Sequence, residues 1–305
     1  MPVRARSLVA TLVALGTFVP LCRPAEAQRL IPNQMHTSLV FELHSVRDDI
    51  ELYEGDPQYL FRIDMRPITA IPPNIDFSVF NQAATLRVRD LWVLASQAAA
   101  RGAAADEVEE VDDPSIPPPA SPGKPVSEGW DIEIAPASPT DFILQCDRGK
   151  ADLDFTDLPV RNLHLLADTT EVRIEFDRPN SVALERFKVT VREGDIEIRT
   201  FLHARAQSAT VQIDGSKCRL DLTGEAPPGE MDLFIEGVPR ELRIAISEAA
   251  GLHVEGPAAI VTRFDRKDFV RRDLALEHSD FAERRNRIRI YFSRPVPKLE
   301  VEWTE

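Results

Sequence analysis

The chain has 305 residues, with 36 Lys and Arg against 50 Asp and Glu, a net charge of −14 and 43% hydrophobic content. So acidic a balance argues against nucleic acid and against anionic membrane surfaces as partners. The length fits one long domain or two short ones.

Residues 1–27 read as an export signal. Arg4 and Arg6 make a basic start, Leu8 to Val19 is an apolar run, and Ala25-Glu26-Ala27 is a small-x-small cleavage site. The run is 12 residues long, short of the roughly 20 that span a bilayer. A lipid anchor would use Cys22, but bulky Leu21 stands where a small residue is expected. No later stretch is apolar for long enough to cross a membrane. The expected location is therefore the periplasm, the cell surface or the medium, with no integral membrane segment after cleavage. Cys146 and Cys218 then remain. Export would permit a disulfide, but both fall at inward strand positions three coils apart, beyond bridging distance, so free core thiols are expected.

Residues 28–95 read as a smaller N-terminal β module. Short alternating runs occur at Phe41 and Leu43, Ile50 and Leu52, Phe61 to Met65, and Ile75 to Val79. The last run continues after a five-residue step into Ala84, Leu86 and Val88, which looks like a worn copy of the unit described next. Residues 96–128 change character. An Ala-rich stretch leads into six carboxylates between Asp106 and Asp113, then six prolines between Pro114 and Pro125. Such a segment buries almost nothing and reads as a disordered linker. Its acids have no spacing that organises a calcium site.

Residues 129–305 carry a repeat. Between 141 and 246 one unit recurs five times, with starts 21 to 24 residues apart. Each unit has two alternating apolar runs, such as Phe187, Val189, Val191 and then Ile196, Ile198, Thr200. The step between the runs is five residues in four copies and seven in the fifth. Alternation gives each strand one apolar and one polar face. A unit this short cannot close a core alone, so copies must stack. Two columns follow: Leu144, Leu165, Val189, Val211, Leu233, and Leu153, Ile174, Ile198, Leu220, Ile244. The fold class is all-β, a β-solenoid of two-strand coils, with an antiparallel meander or sandwich as the alternative. Gly149, Gly194 and Gly215 sit in the corners, where positive φ is cheap for glycine. In-register stacking would also align outward residues, one column reading Asp152, Arg173, Glu197, Arg219, Arg243. The pattern loosens after Ile246 and recovers as a last coil at Ile288 to Trp303.

Chemistry is sparse. The histidines His36, His44, His164, His203, His253 and His278 have no metal-ligand spacing. No nucleophile elbow, phosphate loop or dinucleotide fingerprint occurs. Carboxylates alternate in pairs, Asp152 with Asp154, Asp195 with Glu197 and Glu300 with Glu302. Glycosidases need two such groups at a set separation, but alternating charge is also what a half-buried strand shows to water. No catalytic, metal-ligating or cofactor-binding residue is therefore assigned.

The stretches 151–160, 175–180, 220–225 and 299–303 resemble the toast-rack family of exported bacterial proteins, relatives of adhesin-type domains and of the C-terminal domain of cell-wall-active antibiotic response proteins. That resemblance implies a β-solenoid with no established catalytic residues, sometimes tied to envelope-stress signalling. The expected function is a non-enzymatic, adhesin-like binding or structural module of the envelope, contacting an envelope protein or a surface glycan. The alternatives are a carbohydrate-active β-helix enzyme and a stress regulator working through a membrane partner.

Overall fold

The structure is a computed structural model and describes residues 29–32, 36–45, 49–66, 73–90, 129–225 and 228–304. The expected signal at 1–27 and linker at 96–128 lie outside the described residues. Strands dominate, and the twenty among the described residues join one large mixed sheet. No helix among the described residues is long and apolar enough to cross a membrane.

The first six strands are β1 (Arg29–Pro32), β2 (Ser38–Ser45), β3 (Asp49–Glu54), β4 (Tyr59–Arg66), β5 (Asn74–Phe80) and β6 (Ala83–Arg89). Then come β7 (Gly129–Ile134), the long β8 (Thr140–Asp154) and β9 (Val160–Glu175), β10 (Arg186–Val191), β11 (Ile196–Arg199), β12 (Ser208–Asp214) and β13 (Lys217–Leu222). The chain ends with β14 (Gly229–Val238), β15 (Glu241–Ser247), β16 (Gly251–Glu255), β17 (Phe269–Arg272), β18 (Ala275–His278), β19 (Asn286–Phe292) and β20 (Leu299–Thr304).

Two rows of parallel strands run the length of the sheet. The first row pairs β2, the first half of β8, the first half of β9, β10, β12, β14, β19 and β16 in that order. The second row pairs β3, the second halves of β8 and β9, β11, β13, β15 and β20. The chain crosses from first row to second at a corner and returns by a longer loop. Parallel pairing throughout these rows excludes the antiparallel meander for residues 141–246. Since β2 pairs with β8 and β4 with β7, the described residues before 91 and after 128 share one sheet and one apolar core.

The inward columns stack like on like. Leu52, Leu153, Ile174, Ile198, Leu220, Ile244 and Val301 are successive register partners. Phenylalanines fill the space between the rows: Phe41 packs on Phe142 at 5.8 Å, Phe142 on Phe155 at 4.9 Å and Phe155 on Phe176 at 5.6 Å. Each buried side chain of this size contributes about 1.5–3 kcal/mol, and edge-to-face or offset pairing adds about 0.5–1.5 kcal/mol. Cys146 and Cys218 are buried free thiols, and burial pushes both up to about 12. Asn180 is also interior. Its side chain accepts the Val160 N–H and donates to the Val160 and Ala204 carbonyls, tying together three return loops.

Three expectations need correction. First, Val211 pairs with Ile235, not Leu233. Gly237 occupies the third inward position of the fifth coil, opposite Ile213, so the step to Leu242 is again five residues. A glycine adds no apolar signal, and its φ of 83° with a would-be Cβ 2.3 Å from the Ile213 carbonyl oxygen explains why nothing larger stands there. Second, Thr200 is not an inward strand residue. It adopts a left-handed φ of 48° and leads into a 3-10 turn, Phe201–Ala204, whose Phe201 fills the core against Phe187 at 4.6 Å. Third, the Val79 to Ala84 step is an antiparallel hairpin turning at Asn81 and Gln82, both at positive φ, as a two-residue hairpin requires. The N-terminal coil is instead formed by β2 and β3, where Ser45 to Ile50 keeps the five-residue step.

The corners explain the tight coil spacing. The Thr170 hydroxyl donates to the Cys146 carbonyl at 2.7 Å. At Gly194 a Cβ would lie 1.7 Å from the Thr170 carbonyl oxygen, so close approach rather than positive φ demands glycine there. At Gly215 φ is 71° but the nearest atom to a Cβ is 3.8 Å away. Gly194→Ala should therefore lower stability by about 3 kcal/mol or more, since the clash is with backbone. Gly215→Ala should cost only the left-handed penalty of about 1–2 kcal/mol. Urea unfolding midpoints of the two variants check the order.

Candidate functional site

The two rows present outer faces of opposite character. On the second row the charges align. Glu51, Asp152, Arg173, Glu197, Arg219, Arg243 and Glu300 are successive register partners. The column expected from the sequence thus exists and gains an acid at each end. Arg173 lies 4.0 Å from Asp152, Arg219 3.9 Å from Glu197 and Arg243 3.0 Å from Glu300. The neighbouring column places Lys150 3.5 Å from Glu171, Lys217 3.8 Å from Asp195 and Lys298 2.9 Å from Glu241. Together these columns line an open groove of about 680 Å³.

The alternating carboxylates fall here, and most face a cation. Asp195 faces Lys217 and Arg240, Glu197 faces Arg199 and Arg219, and Glu300 faces Arg243 and Lys298. Asp154 accepts the Thr156 N–H. Glu241 is held below the usual carboxylate range by hydrogen bonds from Lys298 and then Arg243. A general acid needs the opposite shift, upward toward the working pH.

The histidines are dispersed through the structure. His164 stands on the outer face of the first row, and its pKa is lowered by partial burial and by Lys188. The His203 ring bonds the Phe176 carbonyl, and His253 meets Glu277 at 2.9 Å. His278 is buried. Its Nδ1 accepts the Leu252 N–H at 2.9 Å and its Nε2 faces Asp268 at 3.2 Å, which assigns the neutral tautomer with the proton on Nε2. Burial lowers its pKa, outweighing the pull of Asp268. Phe269 and Trp303 close over the ring, so His278 fastens the C-terminal cap. Among the described residues no group of three or more His, Cys, Asp or Glu could hold a metal ion.

The outer face of the first row is mostly uncharged along its middle. Ile143, His164, Lys188, Thr210, Phe234 and Tyr291 form one column. Gln145, Leu166, Thr190 and Gln212 form the next. Ile143 is 44% exposed, and Phe234 stacks on Tyr291 with centroids 4.9 Å apart and planes 13° apart. Six strands make this strip roughly 24 Å long. Alternation within one coil does not reveal it, because it forms only when the outward positions of successive first strands are aligned. The signal was the placement of Phe234 between inward Leu233 and Ile235.

No family model and no curated protein matches the chain. Among solved structures it is similar to one described as a putative cell adhesion protein from Clostridium sporogenes. The identity is 11%, the match covers 91% of this chain and 98% of that one, and the TM-score is 0.39.

The charged columns make a direct prediction. Arg173→Glu sets four acids in a row from Glu51 to Glu197, and should cost about 1 kcal/mol at low salt. Adding Asp152→Arg should recover much of that loss, because the new cation lies between two acids. Salt should shrink both effects. Unfolding midpoints at low and high ionic strength are the measurement.

Proposed function

We propose that this chain is an exported, non-enzymatic binding or structural module of the cell envelope, built as a toast-rack-type β-solenoid. The outer face of its first row is the contact surface for a surface glycan or an envelope protein. One observation carries this reading: the contrast between the faces. The second row neutralises itself, since its acids are largely committed to cations of the neighbouring coil. The first row keeps a flat, mostly uncharged strip with exposed Ile143 and the stacked Phe234–Tyr291 pair. Aromatic rings contribute large contact area at little entropic cost, and flat strips of this kind suit extended ligands. Parallel rows, a five-residue corner step in every coil but the last, and like-on-like columns support the solenoid. Residues 1–27 support export. No cofactor and no nucleic acid enters this reading.

The experiment is a glycan-binding screen and an envelope pull-down with the mature protein, repeated on Phe234→Ser with Tyr291→Ser. The double variant should lose at least tenfold in affinity for whatever the parent retains, with a nearly unchanged unfolding midpoint. Undiminished binding by that variant, together with loss on Arg173→Glu, would move the contact to the charged groove and refute the assignment.

A further inference from the structure

The C-terminal end of the stack carries charge of the other sign. Residues 263–298 hold eleven Lys and Arg against six Asp and Glu, within a chain of net charge −14. Many of the chain's cations are tied to carboxylates, but Arg263, Lys267 and Arg271 form no ion pair among the described residues. Arg263 and Lys267 precede β17 and Arg271 lies within it; β17 is the last strand of an antiparallel extension beyond β16, pairing with β18 and with no other strand among the described residues. The β17–β18 hairpin turns at Asp273 and leaves Leu274 67% and Val270 44% exposed.

A free strand edge offers unpaired N–H and C=O groups to any extended segment. Cations in the strand and in the segment that leads into it repel a second copy of the same edge and select an acidic strand instead. The chain contains such a segment. Six carboxylates crowd positions 106–113, with valines at 108 and 111. We propose that the β17 edge docks residues 106–113 of a second copy, by strand addition with carboxylates set against Arg263, Lys267 and Arg271.

Distance favours a neighbour over the chain's own segment. Ten strand steps separate β6 from β17, roughly 48 Å at the usual spacing. The sixteen residues from Asp90 to Asp106 span at most about 55 Å. A copy reaches its own cap only with both flanks close to full extension. Docking on a neighbour has no such cost, and it joins copies head to tail.

Sedimentation of the full chain over a wide concentration range, at low and moderate salt, tests this. Association should grow with concentration at low salt and weaken with salt. Two full-chain variants should each associate at least tenfold more weakly: one with the acids at 106–113 replaced by their amides, and one with Arg263→Glu, Lys267→Glu and Arg271→Glu. The first changes none of the described residues. Mixed together, the two should give a dimer and nothing larger, because only one cap and one segment remain competent. A chain that stays monomeric at low salt overturns the proposal, as does association that neither variant weakens. Monomers that instead bind phosphatidylglycerol vesicles through the three cations would also overturn it, assigning the cap to lipid.

Discussion

Stacking of like residues on like, in parallel register, is the constraint on which the rest of this molecule depends. A parallel row satisfies backbone groups only between neighbouring strands, so each coil is incomplete without the next. Leucine and isoleucine columns then bury one face along the whole row, and the phenylalanines close the gap between the rows. Register is strongly specified under these conditions, because a one-residue slip would turn every apolar side chain to water. The corners impose the same discipline from outside. Gly194 lies against the Thr170 carbonyl so closely that only a residue without a Cβ keeps the coils at strand spacing.

From this constraint the two outer faces acquire their chemistry. Columns that align inward must also align outward. On the second row this sets carboxylates beside arginines and lysines, at distances such as 3.0 Å for Arg243 and Glu300. Exposed pairs of this kind add little stability, but they make a shift of two residues unfavourable, which apolar alternation alone does not. On the first row the same alignment brings Phe234 against Tyr291, residues 57 positions apart in the chain. The contact strip is thus a product of stacking and belongs to no single coil.

Much of the architecture was legible in the residues, and the failures have physical causes. The second-row column from Leu153 to Ile244 was readable because β-branched and leucine side chains mark every inward position. The first-row column broke at the fifth coil because Gly237 takes an inward place without an apolar side chain. Thr200 was misplaced because a left-handed residue and a 3-10 turn deliver Phe201 to the core by another route. The hairpin at Asn81 and Gln82 imitated a corner, since both span five residues between apolar positions, and spacing alone does not distinguish parallel from antiparallel pairing. Ser45, a buried polar residue, hid the true N-terminal coil. For the site, the charged columns followed from register alone. The uncharged strip follows from the same register once the fifth coil is aligned through Gly237, whereas the cap around His278 depends on long-range contacts that alternation does not encode.

Register in the fifth coil is where stacking and simple residue counting disagree, so it is the place to test the account. Cross-linking under mild oxidation separates them, because neighbouring parallel strands hold register partners within disulfide reach and residues two positions away outside it. Cys146 and Cys218 are buried and should stay silent. Thr210→Cys with Phe234→Cys should form an intramolecular disulfide in the native protein, as register partners do. Thr210→Cys with Asp232→Cys should not. A disulfide in the second pair and none in the first would contradict the stacking described here.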